Sequence, residues 1–161
     1  MSAKGIRDID VIRTFVLQGT LNFTRYFFKI RQKRKFVIGK HHREIAAALD
    51  KVLCGEITRL IINIAPRYGK TELAVKNFIA EGLAINPKAK FIHLSYSDDL
   101  ARDNSRGVQD IINEPEYRRI FPATIPTSTN TKKWYTTEGG GLYAVSSAGQ
   151  AVSYTHLRAH E

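Results

Sequence analysis

The run Leu60-Ile61-Ile62-Asn63-Ile64, followed at once by Ala65-Pro66-Arg67-Tyr68-Gly69-Lys70-Thr71, constrains this chain more than any other stretch. Four of its first five residues are apolar and three are isoleucine, which predicts a strand covered on both faces of a parallel sheet. A tight loop follows, and then a helix that opens at Lys70. The loop ends in Gly69-Lys70-Thr71, and each residue type there has a physical use. Glycine lets the backbone approach a phosphate, lysine places a point charge on the β/γ-phosphates, and the threonine hydroxyl can ligate Mg²⁺. The helix N-terminus adds unpaired N–H donors. The pattern G-x-x-x-x-G-K-[ST] is incomplete, because Ile64 stands where its first glycine belongs. An ordinary helix start carrying a lysine is the competing reading, and the flanking strand and amphipathic helix favour the phosphate loop.

What surrounds this loop reads as alternating helix and strand. Ile9, Ile12 and Val16 share one face of a short helix that Gly19 ends. Phe23, Tyr26, Phe27 and Ile30 fall at helical spacing, and the stripe reads as core rather than as a base-stacking platform. From His42 to Leu53, Ile45, Leu49, Val52 and Leu53 mark an amphipathic helix closed by Gly55. Val75, Phe78, Ile79 and Leu83 mark the helix after the loop, which Asn86-Pro87 terminates before a strand at residues 90–96. The two strands are expected to lie parallel through a right-handed crossover. Ser97 is the expected N-cap of a further helix with Leu100, Val108, Ile111 and Ile112 as its buried stripe; the acidic pair Asp98-Asp99 reads as first-turn capping rather than as a metal site. Regularity fades beyond Pro115, through Pro122, Pro126 and the Thr127–Thr131 cluster. Short strands on either side of Gly139-Gly140-Gly141 predict a hairpin.

A formal net charge of +10 in 161 residues favours a polyanionic partner, nucleic acid first among them. The basic run from Lys29 to Lys35, with Lys40-His41-His42-Arg43 close behind, is either a solvated face or a contact for DNA phosphates or the nucleotide. The adjacent histidines lack the spacing and partners of a zinc site. Cys54 stands alone, so no intrachain disulfide forms. No stretch suits a membrane span, and the first residues carry no signal-peptide core, so a cytoplasmic protein is the expectation.

Taken in order, these parts resemble the N-terminal ATPase half of tailed-phage terminase large subunits, the DNA-packaging motors. The resemblance rests on His42 and the helix from Ile45 to Val52, Gly55-Glu56-Ile57, and the strand ending in Ala65-Pro66-Arg67-Tyr68-Gly69-Lys70-Thr71. It continues through Ser95-Tyr96-Ser97-Asp98-Asp99-Leu100-Ala101, Glu116-Tyr117, Trp134 and Gly141-Leu142-Tyr143-Ala144, and covers about residues 23–150. Phosphate loops of that family read Pro-Arg-x-x-Gly-Lys-[Ser/Thr] or Pro-Pro-Arg-x-Gly-Lys-[Ser/Thr], which accounts for the missing first glycine; Ala65 departs from a frequent proline.

The resemblance implies an α/β fold with a P-loop NTPase-type parallel sheet flanked by helices, incomplete on its C-terminal side. Residues 1–58 would form a basic helical segment, residues 59–150 a partial ATPase domain, and residues 151–161 a non-native tail of translated vector sequence whose His156 and His160 are accidental. ATP would be held by Pro66, Arg67, Tyr68, Gly69, Lys70 and Thr71. Lys70 and Arg67 would act on the triphosphate, and Thr71 would ligate Mg²⁺. The family's acidic Walker B strand, its catalytic glutamate and its nuclease domain are expected to lie outside this sequence, so the chain alone should hydrolyse ATP negligibly. Implied partners are double-stranded DNA, a portal protein, a terminase small subunit and further copies in a ring, working in the host cytoplasm at the procapsid. A small P-loop nucleotide kinase and a basic DNA-binding module without catalysis are the alternatives.

Overall fold

The structure, a computed structural model, describes residues 8–147. The proposed tail at residues 151–161 and the histidines in it lie outside the described residues. The described residues begin with three helices, α1 (Asp8–Val16), α2 (Thr20–Gln32) and α3 (Lys40–Leu53). After the loop at residues 65–69 a π-helical turn, Glu72–Asn77, runs directly into α4 (Phe78–Ile85). Strand β1 (Lys90–Ser95) follows, then α5 (Asp98–Asn113), α6 (Pro115–Ile120) and the strands β2 (Lys133–Tyr135) and β3 (Gly141–Ser146).

The chain is thus mixed α/β. Its described strands form one sheet in the order β1-β3-β2. Strand β1 runs parallel to β3 with Phe91 opposite Leu142 and His93 opposite Ala144, and β2 pairs antiparallel with β3 as the expected glycine hairpin. Helix α5 packs on this sheet and α4 packs on α5. Ser97 caps α5 as the sequence predicts, its Oγ accepting from Leu100 N–H at 3.2 Å. Ala101, Val108, Ile111 and Ile112 form the buried stripe of α5. Leu100, expected in that stripe, is half exposed on the first turn. Residues 115–120, expected to be irregular, form α6, which Pro115 starts at a position where its missing N–H has no intrahelical partner to lose.

The main core joins α2 to the sheet and its helices. Phe23, Phe27, Tyr117 and Phe121 pack ring against ring, with Phe27 and Tyr117 centroids 5.3 Å apart. The aromatic stripe of α2 is therefore core, as its spacing implies. Tyr117 donates its hydroxyl to the Ala80 carbonyl at 2.8 Å, and Trp134, buried at 1% exposure, donates its indole N–H to Ser105 Oγ at 2.9 Å. Both polar handles are satisfied where burial would otherwise penalise them.

The run Leu60–Ile64 departs from expectation. It forms no strand and pairs with none of the described strands, so the predicted parallel pairing with β1 is absent; β3 takes the place beside β1. Ile62 and Ile64 pack against Ile45 and Leu49 of α3 and against Leu73, while Ile61 is 87% exposed. Apolar content and β-branching report that a segment suits a pleated, buried position, but they carry no information on whether a partner strand stands beside it. Similarly, among the described residues only one face of β1 is covered. Phe91 and His93 face the helices, whereas Ile92 and Leu94 on the opposite face are 58% and 64% exposed.

Candidate phosphate-binding loop

The loop between Ile64 and the π-helical turn owes its shape to two left-handed residues, Arg67 at φ 69° and Gly69 at φ 73°. For Arg67 that conformation costs roughly 1 kcal/mol, whereas glycine adopts it freely. Position 69 requires glycine for a second reason. A Cβ there would lie 2.8 Å from His42 Nε2. The helix begins at Lys70, and its first backbone bond in this region is Leu73 N–H to the Gly69 carbonyl at 3.0 Å. Among the described residues, the backbone N–H groups from Arg67 to Thr71 donate to no carbonyl. Unpaired amides in a loop of left-handed bends, at the positive end of a helix, form a ready anion cradle.

A concavity of about 450 Å³ opens at this point. Every residue from Ile64 to Glu72 lines it except Tyr68. Pro66, Arg67, Gly69, Lys70 and Thr71, all inferred from sequence as phosphate or metal contacts, are thereby brought to one site. The side chains of Arg67, Lys70 and Thr71 are exposed and have no side-chain partner among the described residues. Tyr68 is placed differently from its companions. Its ring stands edge-on to His41 at 5.4 Å, and its carbonyl is bound from behind by His42.

Glu72 also lines the concavity, but its carboxylate is committed. It accepts from Arg31 Nη1 at 2.8 Å and from Asn77 Nδ2 at 3.0 Å, with Lys76 Nζ 3.9 Å away. Asn77 Nδ2 also donates to the Glu72 carbonyl at 2.8 Å, spanning the π-helical turn with a side chain. π-Turns widen a helix locally and recur at functional sites. Here the turn falls immediately after the Gly-Lys-Thr sequence.

Thus the basic run from Lys29 to Lys35 divides. Arg31 turns inward as an ion pair that ties α2 to the helix after the loop, with 10% of its side chain exposed. Arg34 lies over the Phe28 ring at 5.8 Å, and Lys29, Lys33 and Lys35 are exposed. Asp98 and Asp99 are exposed in the first turn of α5, behind the Ser97 cap, where negative charge suits the helix N-terminus.

Sequence reasoning offered His42 as part of a basic stretch facing solvent, DNA phosphates or the nucleotide; the fold instead buries it against the loop. It is 7% exposed, and its Nδ1 accepts from Gly39 N–H at 2.9 Å. An accepting Nδ1 leaves the proton on Nε2, which donates to the Tyr68 carbonyl at 2.9 Å. His41 Nε2 stands 3.1 Å from the same atom, and Phe36 packs edge-on to the ring. Burial holds the His42 pKa below the usual histidine value; the bond to Tyr68 opposes that shift and the neighbouring His41 adds to it. Its place three residues after Gly39 hinted at a helix-start contact, but only the fold brings Tyr68 to its other nitrogen.

Both ligands implied by the sequence suit these residues. Mg²⁺ bound with a nucleotide usually takes one or two protein oxygens, with phosphate and water completing its shell, and Thr71 offers one hydroxyl. Among the described residues no group of three or more His, Cys, Asp or Glu side chains is placed to hold a metal by itself, and no helix is long and apolar enough to cross a membrane. Comparison with models of known protein families, with curated proteins and with solved structures finds no match to this chain.

Proposed function

We propose that the loop from Ala65 to Thr71 binds Mg²⁺-ATP, and that the chain is the nucleotide-holding part of a DNA-packaging motor of the terminase large-subunit type. The observation that carries the nucleotide reading is the loop itself: left-handed bends at Arg67 and Gly69, unpaired amides at a helix start, and Lys70 and Thr71 presented to a concavity of about 450 Å³. In this reading Lys70 places its ammonium on the β/γ-phosphates, Arg67 adds a second cation, and Thr71 presents its hydroxyl to Mg²⁺. When bound, Mg²⁺ would supply neutralisation of phosphate charge. The resemblance supports the wider reading, in which ATP turnover drives double-stranded DNA into a procapsid in the host cytoplasm, with a portal protein, a small subunit and a ring of copies as partners. The charge of +10 fits a DNA-handling chain.

Lys70→Ala should weaken Mg²⁺-ATP binding about 10- to 100-fold in a calorimetric or fluorescence titration, the loss of one charge-assisted contact worth roughly 1.5–3 kcal/mol. Unchanged affinity sinks the assignment of the loop. DNA binding that falls steeply with salt and ignores ATP would instead favour the basic binding module.

A further inference from the structure

The contact between α3 and the back of the loop has a consequence for ligand binding. His42 is buried and lies beneath the loop, outside the set of residues that line the concavity. It therefore does not reach a bound phosphate through that opening. Its two nitrogens join segments far apart in sequence: Nδ1 fixes Gly39, at the start of α3, and Nε2–H fixes the Tyr68 carbonyl. That carbonyl belongs to the residue between the two left-handed ones, so its direction sets how the neighbouring amides are turned. Gly69 closes against the same ring, leaving no room for a side chain between loop and histidine. The groups facing the ring are His41 from its own helix, Phe36 from the α2–α3 connection and the Tyr68–Gly69 backbone.

We propose that His42 is a positioning residue for the nucleotide site: its Nε2–H holds the Tyr68 carbonyl so that the loop amides face the triphosphate. The inference rests on the nucleotide reading of the loop. Substitutions separate the two halves of the clip. In His42→Gln a terminal amide can replace the Nε2–H donor. In His42→Asn the shorter side chain can replace only the acceptor near Gly39, and His42→Ala replaces neither.

The test is Mg²⁺-ATP titration of the full chain at pH 7.5, with thermal unfolding of each variant and amide NMR spectra of the ligand-free proteins. His42→Gln should bind within about 3-fold of the parent, while His42→Asn and His42→Ala weaken about 10-fold. The ligand-free amide signals of Gly69 and Lys70 should move further in His42→Asn than in His42→Gln, because both variants lose the imidazole ring beside Gly69 and only His42→Asn also loses the donor. Equal affinity in all three variants, whether retained or lost, overturns the proposal, because no outcome then follows the Nε2–H donor. Should the parent chain bind no Mg²⁺-ATP, the nucleotide reading fails first. The amide signals then decide separately whether the clip shapes the loop, and equal displacements in His42→Asn and His42→Gln overturn it.

Discussion

Two apolar clusters hold the described residues together, and they differ in kind. The larger is closed on all sides: Phe23, Phe27, Tyr117 and Trp134 pack with Leu83, Ile111 and Leu142, joining helices from both halves of the chain to the sheet. The smaller lies beside the phosphate-loop candidate, and its buried members are Ile45, Leu49 and Leu73, with Ile62 and Ile64 only partly covered. Polar ties do more of the holding there, through His42 to Tyr68 and Arg31 to Glu72. A loop fastened by a few directional bonds onto a separately packed frame can be reshaped without unfolding the frame. The larger cluster supplies stability, and the smaller supplies geometry.

The largest effect should come from breaking the frame. Trp134→Ala empties a fully enclosed site and strands the Ser105 hydroxyl, so it should lower the unfolding free energy by about 3–5 kcal/mol in a denaturant titration. A loss below about 1 kcal/mol would mean that the sheet and α5 are not held by this contact.

A middle-sized effect concerns a carboxyl within the frame. Glu81 is 2% exposed, its Oε2 has no hydrogen-bond partner among the described residues, and its pKa is pushed up to about 8. Burial is the main cause; the Thr20 hydroxyl opposes it and the charge of Asp50 adds to it. The folded chain therefore keeps Glu81 neutral in a range where the unfolded chain, with an ordinary value near 4.5, releases the proton. The stability associated with the neutral form is full below about pH 4.5 and drains away as pH rises to about 8. Glu81→Gln should remove that slope and leave the variant more stable at pH 8 by about 1–3 kcal/mol. Parallel pH profiles of parent and variant would show that Glu81 is already ionised in the fold.

The smallest effect should fall on the loop. Gly69→Ala forces a Cβ into a left-handed residue and against His42, yet the strain can relax in an exposed loop, so unfolding should lose only about 1 kcal/mol. A loss above 3 kcal/mol would erase the contrast between frame and loop. The change in Mg²⁺-ATP affinity should be the larger consequence.

Much of the frame was legible in one dimension because helical periodicity reports burial directly. The spacing of Phe23, Phe27, Val108 and Ile112 places each in the larger core, that of Ile45 and Leu49 places them in the smaller one, and Ser97 announces its cap. The site was legible in part. Gly69, Lys70 and Thr71 are adjacent in sequence, so local chemistry sufficed to bring them together, and Pro66 and Arg67 lie within the same turn.

The amino-acid order by itself determined helices α1 to α5, the loop's glycine, the hairpin and the excess of positive charge, since each depends on side-chain chemistry at close spacing; α6 was not among them. Tertiary structure decided whatever required a distant partner. It left Leu60–Ile64 outside the sheet, because hydrophobic pattern specifies a face to bury but not the strand that will cover it. It turned Arg31 out of a solvated run and onto Glu72, and it brought His42 to Tyr68 across 26 residues. Each of these outcomes depends on how helices pack, and packing is the information that local spacing does not contain.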